Sequence, residues 1–305
     1  MDGDGVNEVL IGTFRGDVSI LKMQNSQFAE IASINNSSAV VAIKVGDLDG
    51  DNSAEIVVGF HDKMLRIYNF SLPAQLVEKA NFRFHDPISH ILIGDVFSKK
   101  ISHLIVCSGK FIYIYSYYKG KLREEGQIRL KGDIYSCAIA DFDGKGNTLL
   151  FGGRGNEVQL VAYQSRFYQE TKATIRLDYY PTDLKVIEDG GHKYVLVTSA
   201  DGKFVIYIYV EDMFQPIYQI QFKGTINSVG VTLVPDRSKH IIVLGGSNKE
   251  LRIFDFQENT MQERGIFNFE AMINTVKVAD IDGKGPYEVI VGLDTGELLL
   301  YELEK

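Results

Sequence analysis

A short aliphatic run recurs seven times along the chain, about every 47 residues, and no other feature limits the accessible folds as strongly. The runs follow seven anchor residues: Glu8, Glu55, His103, Leu149, Lys193, His240 and Glu288. A repeated unit of this size buries its apolar faces against its neighbours rather than alone. The spacing therefore predicts a repeat architecture over residues 1–305.

The second copy displays the internal pattern of the unit. The apolar run "VVAIKVG" (40–46) leads through an acidic loop into "EIVVG" (55–59), and the alternating run "MLRIYNF" (64–70) precedes the more polar "LVEKANF" (76–82). Four short strands separated by Gly- and Asp-rich turns are typical of one propeller blade. We predict an all-β fold, a single seven-bladed β-propeller of four-stranded antiparallel blades, without helices beyond single turns.

Two other architectures are less compatible with the repeat. A β-solenoid usually repeats every 20–30 residues, and an extended β-sandwich does not repeat one unit seven times.

The loops between the first and second strands of the predicted blades fall near seven ranges: 1–8, 47–55, 95–103, 141–149, 185–193, 232–240 and 280–288.

The first and last blades are predicted to be incomplete. The first copy begins at its acidic loop and has no inner strand, whereas the last ends after its third strand. Residues upstream of Met1 would supply both strands and remove the exposed sheet edges. The alternative is a ring that closes two strands short.

The loop "DLDGDNSAE" (47–55) has the spacing of a calcium loop. Asp47, Asp49 and Asp51 occupy positions 1, 3 and 5, the Ser53 carbonyl is at position 7, and Glu55 is at position 9. Calcium binds six to eight oxygen ligands, and carboxylates at alternate positions can surround it. The alternative interpretation is an Asp/Gly turn capped by its own side chains without an ion. An EF-hand is excluded because a strand follows the loop.

The other copies of the loop carry fewer ligands. The first has Asp2, Asp4 and Glu8, which form a second candidate calcium site. The fourth and seventh place Lys145 and Lys284 at position 5, where an ammonium would neutralise the preceding acids. We predict that these two loops bind no metal.

Four of these segments resemble FG-GAP repeats, the units of the integrin-α N-terminal propeller: "MDGDGVNEVLIG", "DLDGDNSAEIVVG", "DFDGKGNTLLFGG" and "DIDGKGPYEVIVG". The resemblance covers nearly the whole chain at the level of blades. It implies that the acidic loops join the first and second strands of a blade and bind Ca²⁺ there. Glutamate at position 9, where integrins usually have Asp, is more similar to intracellular members, such as the BBSome propeller subunits and the FG-GAP protein of the KICSTOR complex.

Six basic residues fall at equivalent turns between the second and third strands, on the face opposite the acidic loops. They are called the basic arc: Arg15, Lys63, Lys110, Arg154, Lys203 and Lys249. One interpretation is ordinary solubility of hairpin turns. The other is a docking surface for an acidic peptide or a partner subunit.

Recognisable catalytic patterns are missing from the sequence. It contains no nucleophile elbow, P-loop or zinc-ligand spacing, and "GGRGNE" (152–157) is better explained as a hairpin turn than as a phosphate loop. The chain also has no Trp for stacking on sugars. We therefore predict that the protein is not an enzyme.

The composition of the chain indicates which classes of partner and which cellular compartment to expect. The net charge of −8 argues against nucleic acid, and no apolar stretch is long enough to insert into a membrane. Cys107 and Cys137 lie in apolar runs and resemble buried hydrophobic residues, which is compatible with the cytoplasm. We predict a protein–protein interaction scaffold within an intracellular multiprotein assembly. The alternative is an extracellular, calcium-dependent ligand-binding head like that of integrin α.

Overall fold

A computed structural model describes residues 6–24, 27–71, 75–98, 100–165, 168–234, 239–283, 285 and 287–303. These residues form 26 strands in seven antiparallel sheets, five with four strands and the first and last with three. No helix occurs in these ranges. The predicted all-β, seven-bladed propeller with incomplete first and last blades is confirmed.

Each blade follows the chain from the inner strand to the outer strand, except that blade 1 starts at the equivalent of a second strand. Blades 1 and 2 contain β1 (Glu8–Gly12), β2 (Asp17–Gln24), β3 (Gln27–Asn35), β4 (Val40–Gly46), β5 (Glu55–Phe60), β6 (Met64–Ser71) and β7 (Gln75–Arg83). Blades 3 and 4 contain β8 (Ile88–Gly94), β9 (His103–Ser108), β10 (Phe111–Tyr118), β11 (Lys121–Arg129), β12 (Ile134–Ala140), β13 (Thr148–Gly153), β14 (Glu157–Ser165) and β15 (Tyr168–Arg176).

The remaining blades continue the same order. Blades 5 and 6 contain β16 (Pro181–Asp189), β17 (His192–Ser199), β18 (Lys203–Val210), β19 (Met213–Gln221), β20 (Ile226–Val234), β21 (Lys239–Gly246), β22 (Glu250–Gln257) and β23 (Thr260–Asn268). Blade 7 contains β24 (Ile273–Ala279), β25 (Glu288–Leu293) and β26 (Leu298–Glu302).

The core lies between the blades. Every residue of β5 and β9 is buried, because second strands are covered on both faces by neighbouring sheets, whereas the outer strand β7 is mostly exposed. One apolar cluster joins Phe204 of blade 5 to Phe254 of blade 6. Successive inner strands from β4 to β24 also contact one another, so they surround a central axis.

A glycine at or next to the end of several second strands is required by this packing. A Cβ on Gly12 would lie 2.3 Å from Val40, and one on Gly245 would lie 2.5 Å from Ile273, each on the inner strand of the next blade. Such distances are far below van der Waals contact. The recurring "VG" and "IG" dipeptides therefore mark the close approach of consecutive blades.

Blade 1 also contacts blade 7. The amide N–H of Asn7 donates to the carbonyl of Ile281 at 3.2 Å, and its side-chain nitrogen donates to the carbonyl of Asp280 at 2.7 Å. Within the described part of the chain, β1 pairs only with β2. The same part contains no helix long and apolar enough to cross a membrane.

Candidate functional site

The acidic loop of blade 2 brings three carboxylates together. Oxygen atoms of Asp47, Asp49 and Glu55 all lie within 4.8 Å of one another. Glu55 is only 1% exposed, and its Oε2 accepts a hydrogen bond from the Leu48 amide at 2.8 Å. Burial raises the pKa of Glu55, and the neighbouring Asp49, Asp51 and Asp47 raise it further, whereas the Leu48 hydrogen bond lowers it. A cation in this loop would relieve that repulsion.

The loop also uses its acids to hold its own backbone. Asp47 accepts hydrogen bonds from the amides of Gly50 at 2.7 Å and Asn52 at 3.0 Å. Asp51 is exposed, accepts from the Ser53 amide at 2.7 Å, and lies outside the group of three carboxylates. The predicted ligands thus divide into a clustered set and Asp51 and Ser53, whose hydrogen bond shapes the turn.

A second acidic cluster occurs in blade 7. Oxygen atoms of Asp280, Asp282 and Glu288 lie within 4.8 Å of one another, and burial raises the pKa of Glu288, with Asp282 and Asp280 adding to the effect. The sequence predicted that this loop binds no metal because of Lys284, which lies outside the described residues. The carboxylate arrangement nevertheless matches that of blade 2.

The remaining predicted loop residues belong to blades 4 and 1. In blade 4 the Lys145 ammonium is 3.7 Å from Asp143, with the lysine side chain 84% exposed. In blade 1 Glu8 lies at the start of β1, while Asp2 and Asp4 are outside the described residues.

Two lysines of the basic arc join their turn to the loop that leads into the next blade. The Lys63 ammonium donates to the carbonyl of His85 at 2.9 Å, and that of Lys249 donates to the carbonyl of Glu270 at 2.7 Å. Their positive φ angles, 74° and 65°, belong to the tight turn itself. These contacts indicate a structural use for both side chains.

Two further members of the arc face acids. Lys203 donates to Asp178 at 2.8 Å, and this hydrogen bond lowers the pKa of Asp178. Arg154 lies 3.7 Å from Asp133, with 70% of its side chain exposed. The arc is therefore less positive than its sequence indicates, and Arg154 keeps the more accessible charge of these two.

Lys110 and Arg15 are exposed. No hydrogen bond or ion pair to the Lys110 side chain is present among the described residues. Lys110 lines a cleft of about 310 Å³ between blades 3 and 4, together with Asp86, Asp133 and Tyr135. It is therefore available to an external group.

Sequence reasoning missed the tyrosines beside this cleft. The rings of Tyr135 and Tyr180 lie 4.9 Å apart between centroids, and Tyr179 and Tyr180 are 54% and 40% exposed. We call Lys110, Tyr135, Tyr179 and Tyr180 the tyrosine–lysine patch. Consecutive tyrosines before Pro181 were the available signal, because adjacent residues in a loop rarely both enter the core.

Comparisons with known proteins were consistent with this fold. The sequence profile of the BBS7 beta-propeller family matches residues 1–113, less than half of the chain. No curated protein sequence is significantly similar. The match agrees with the predicted similarity to BBSome propeller subunits, whereas FG-GAP membership stays a prediction.

Solved propellers superpose on most of the chain. BBS1N, crystallised in complex with ARL6DN and soaked with lead, has a TM-score of 0.67 at 15% identity, covering 85% of this chain and 78% of that chain. The same complex soaked with mercury has a TM-score of 0.66 at 17% identity, covering 87% and 78%. The WD40 beta propeller domain of Doa1 has a TM-score of 0.69 at 14% identity, covering 98% and 90%. At these identities the similarity concerns the fold alone.

Proposed function

We propose that this propeller is a non-enzymatic protein-interaction module of an intracellular multiprotein assembly, similar in role to the propellers of BBS proteins. The observation that carries the proposal is the tyrosine–lysine patch. Exposed tyrosines beside an unpaired basic residue are typical of protein interfaces, where aromatic rings provide contact area and basic groups select an acidic partner.

Further exposed apolar groups on the same face support this surface. Phe14 is 87% exposed in the blade 1 turn, and Met272 is 39% exposed in the loop before blade 7. Both lie on the face that carries the basic arc. The profile match to BBS7 and the binding of BBS1N to ARL6DN favour an intracellular protein partner over the integrin-like alternative.

Reversing charge on this face is expected to release the protein from its assembly. Lys110→Glu/Arg154→Glu changes the charge beside the patch by four units and should repel an acidic partner, with at least a tenfold loss of affinity. The tagged protein, purified from its own cells, is analysed by size-exclusion chromatography. The wild type should elute far above the size of one 305-residue chain. The variant should elute as a monomer.

The matched control is Lys121→Glu/Arg123→Glu, which makes the same charge change on the outer strand β11 of blade 3. It should remain in the assembly. Retention of the Lys110→Glu/Arg154→Glu variant in the large particle, or a wild-type monomer in native extracts, would contradict the proposal.

Calcium binding by the blade 2 loop is a second candidate property, favoured by the burial of Glu55 next to Asp47 and Asp49. These three carboxylates would hold the ion, with the remaining coordination from backbone carbonyls or water. The bound ion would neutralise the loop and stabilise the second blade. The hydrogen bonds to Asp47 leave its remaining lone pairs available, so the residues fit a weak site.

Calcium is expected to raise the Tm of the wild type. At a free concentration one hundred times the Kd, binding stabilises the folded state by about 2.7 kcal/mol, or roughly 5 °C in a domain of this size. Asp49→Asn removes a carboxylate that has no hydrogen bond within the described residues, so it should abolish the response without loosening the loop. The matched change Asp143→Asn in blade 4 should keep it. Equal calcium responses in wild type and Asp49→Asn would exclude the site.

A further inference from the structure

Three lysines occupy the same register position on inner strands around the axis. Lys44, Lys185 and Lys277 pair with Val57, Leu196 and Ile290, each on the second strand of the same blade. Blades 3, 4 and 6 have Leu92, Ala138 and Gly230 at this position. Side chains alternate along a strand, so Lys185 and Lys277 lie on the opposite side from Leu184 and Val276, which are buried between blades. All three lysines project from inner strands that surround the axis.

The charges of these lysines also influence one another's pKa. Burial lowers the pKa of Lys277 to about 8, and the charges of Lys185 and Lys44 lower it further. Lys277 is nonetheless an exposed residue, so solvent and small ions can reach it. Burial and Lys185 likewise lower the pKa of Lys44. His90 on β8 has its pKa lowered to about 4 by burial and then by Lys44, so it is neutral at pH 7.

Among the described residues, Asp183 is the one acid whose charge acts on these side chains, and its oxygens already accept hydrogen bonds. Oδ1 accepts from the Lys185 ammonium at 2.7 Å and the Leu184 amide at 2.8 Å, while Oδ2 accepts from the Val229 amide at 3.1 Å. Within the described residues no hydrogen bond or ion pair reaches the ammonium groups of Lys44 and Lys277. The axis therefore carries two uncompensated positive charges inside a chain of net charge −8.

We infer that this axial channel is an anion-binding site that takes a phosphate-class oxyanion between Lys44 and Lys277. Two ammonium groups that project toward one axis repel each other, and a divalent anion between them replaces that repulsion with attraction. Thr275 lies two residues before Lys277 on β24, hence on the same side of the strand, and offers a hydroxyl donor. A carboxylate has one charge and matches one ammonium, so a multivalent phosphate fits better.

Calorimetry with inorganic pyrophosphate tests the site. At pH 7 and low salt, the wild type should bind at least tenfold more tightly than Lys44→Met/Lys277→Met. The matched variant Lys121→Met/Lys223→Met removes two exposed lysines outside the channel and should bind like the wild type. Adenosine diphosphate in a parallel titration distinguishes the source, because equal affinity means that the diphosphate alone is recognised. Acetate should bind at least tenfold more weakly than pyrophosphate.

The affinity for pyrophosphate should fall as the pH rises. The ammonium form of Lys277 binds the anion, and this form is lost as pH rises through about 8. Between pH 7 and 9 its fraction falls about tenfold, and the apparent affinity should fall by roughly the same factor. Lys44→Arg/Lys277→Arg keeps both charges at pH 9, so it should bind without this loss.

Several outcomes would overturn the inference. One is that the folded wild type does not bind pyrophosphate at 10 mM. The others are an unchanged affinity in the Lys44→Met/Lys277→Met variant, or an affinity for acetate equal to that for pyrophosphate. Thermal melts of each variant confirm that it is folded. The arginine variant separates loss of charge from loss of packing, since it should bind whereas the methionine variant should not.

Discussion

Asp183→Ala is expected to lower the free energy of unfolding by about 3 kcal/mol, because it leaves a partly buried charge without its partner. The Asp183 carboxylate is 13% exposed and accepts hydrogen bonds from Lys185 of its own blade and from the Val229 amide of blade 6. Its removal leaves the Lys185 ammonium facing Lys44 and Lys277 without a counter-charge. The effect therefore combines lost hydrogen bonds with increased repulsion along the axis.

Urea denaturation of wild type and variant measures this loss. The double variant Asp183→Ala/Lys185→Met should recover much of the stability, since the unpaired ammonium is then absent. Asp49→Ala, which removes an exposed aspartate, should change stability by less than about 0.5 kcal/mol in calcium-free buffer. Equal effects of the Asp183 and Asp49 substitutions would show that Asp183 does not balance the axial charge.

Gly245→Ala is expected to destabilise the propeller by about 2 kcal/mol through overpacking. The new Cβ would lie 2.5 Å from Ile273 and 2.9 Å from Val276, both on the inner strand of blade 7. Neither side chain can retreat easily, because both are fully buried in the cluster between blades 6 and 7. The substitution therefore separates two blades.

Gly155→Ala is the matched control. A Cβ at Gly155 meets no atom within 4 Å, so this substitution should be close to neutral. Chemical denaturation of the two variants compares one added methyl group at a blade contact with one at an open turn. A neutral Gly245→Ala would show that consecutive blades are not in close contact at this point.

The strands of a blade could be predicted from the sequence because all of them lie within one repeat. The four strands of a blade are consecutive in the chain, and their alternation and turns appear within about 47 residues. The residues after Glu55 are apolar at each position because neighbouring sheets cover both faces of β5. Repetition then indicated the number of blades. The glycines that permit blade contact were visible as well, although their partners, such as Ile273 for Gly245, were not.

The arrangement of the acidic loops could be predicted only in part from the sequence. Spacing alone identified Asp47, Asp49 and Glu55, which the structure groups within 4.8 Å. The spacing did not show that Asp51 lies apart from these three carboxylates. The orientation of its side chain depends on the loop conformation and on the hydrogen bond that it accepts from the Ser53 amide. The basic arc was located by the repeat, but its pairing with Asp178 and Asp133 depends on loops from the preceding blades.

Sequence alone determined the class of fold, the seven blades and the two loop faces, since each follows from patterns within one repeat. Tertiary structure decided which charges meet. Lys44 and Lys277 share a position in the repeat but are separated by most of the chain, and only the arrangement of the inner strands around one axis lets their charges interact. Tyr135 and Tyr180 become neighbours in the same way. The physical reason is that burial and Coulomb energy depend on distance in space, which the order of residues within a single blade does not specify.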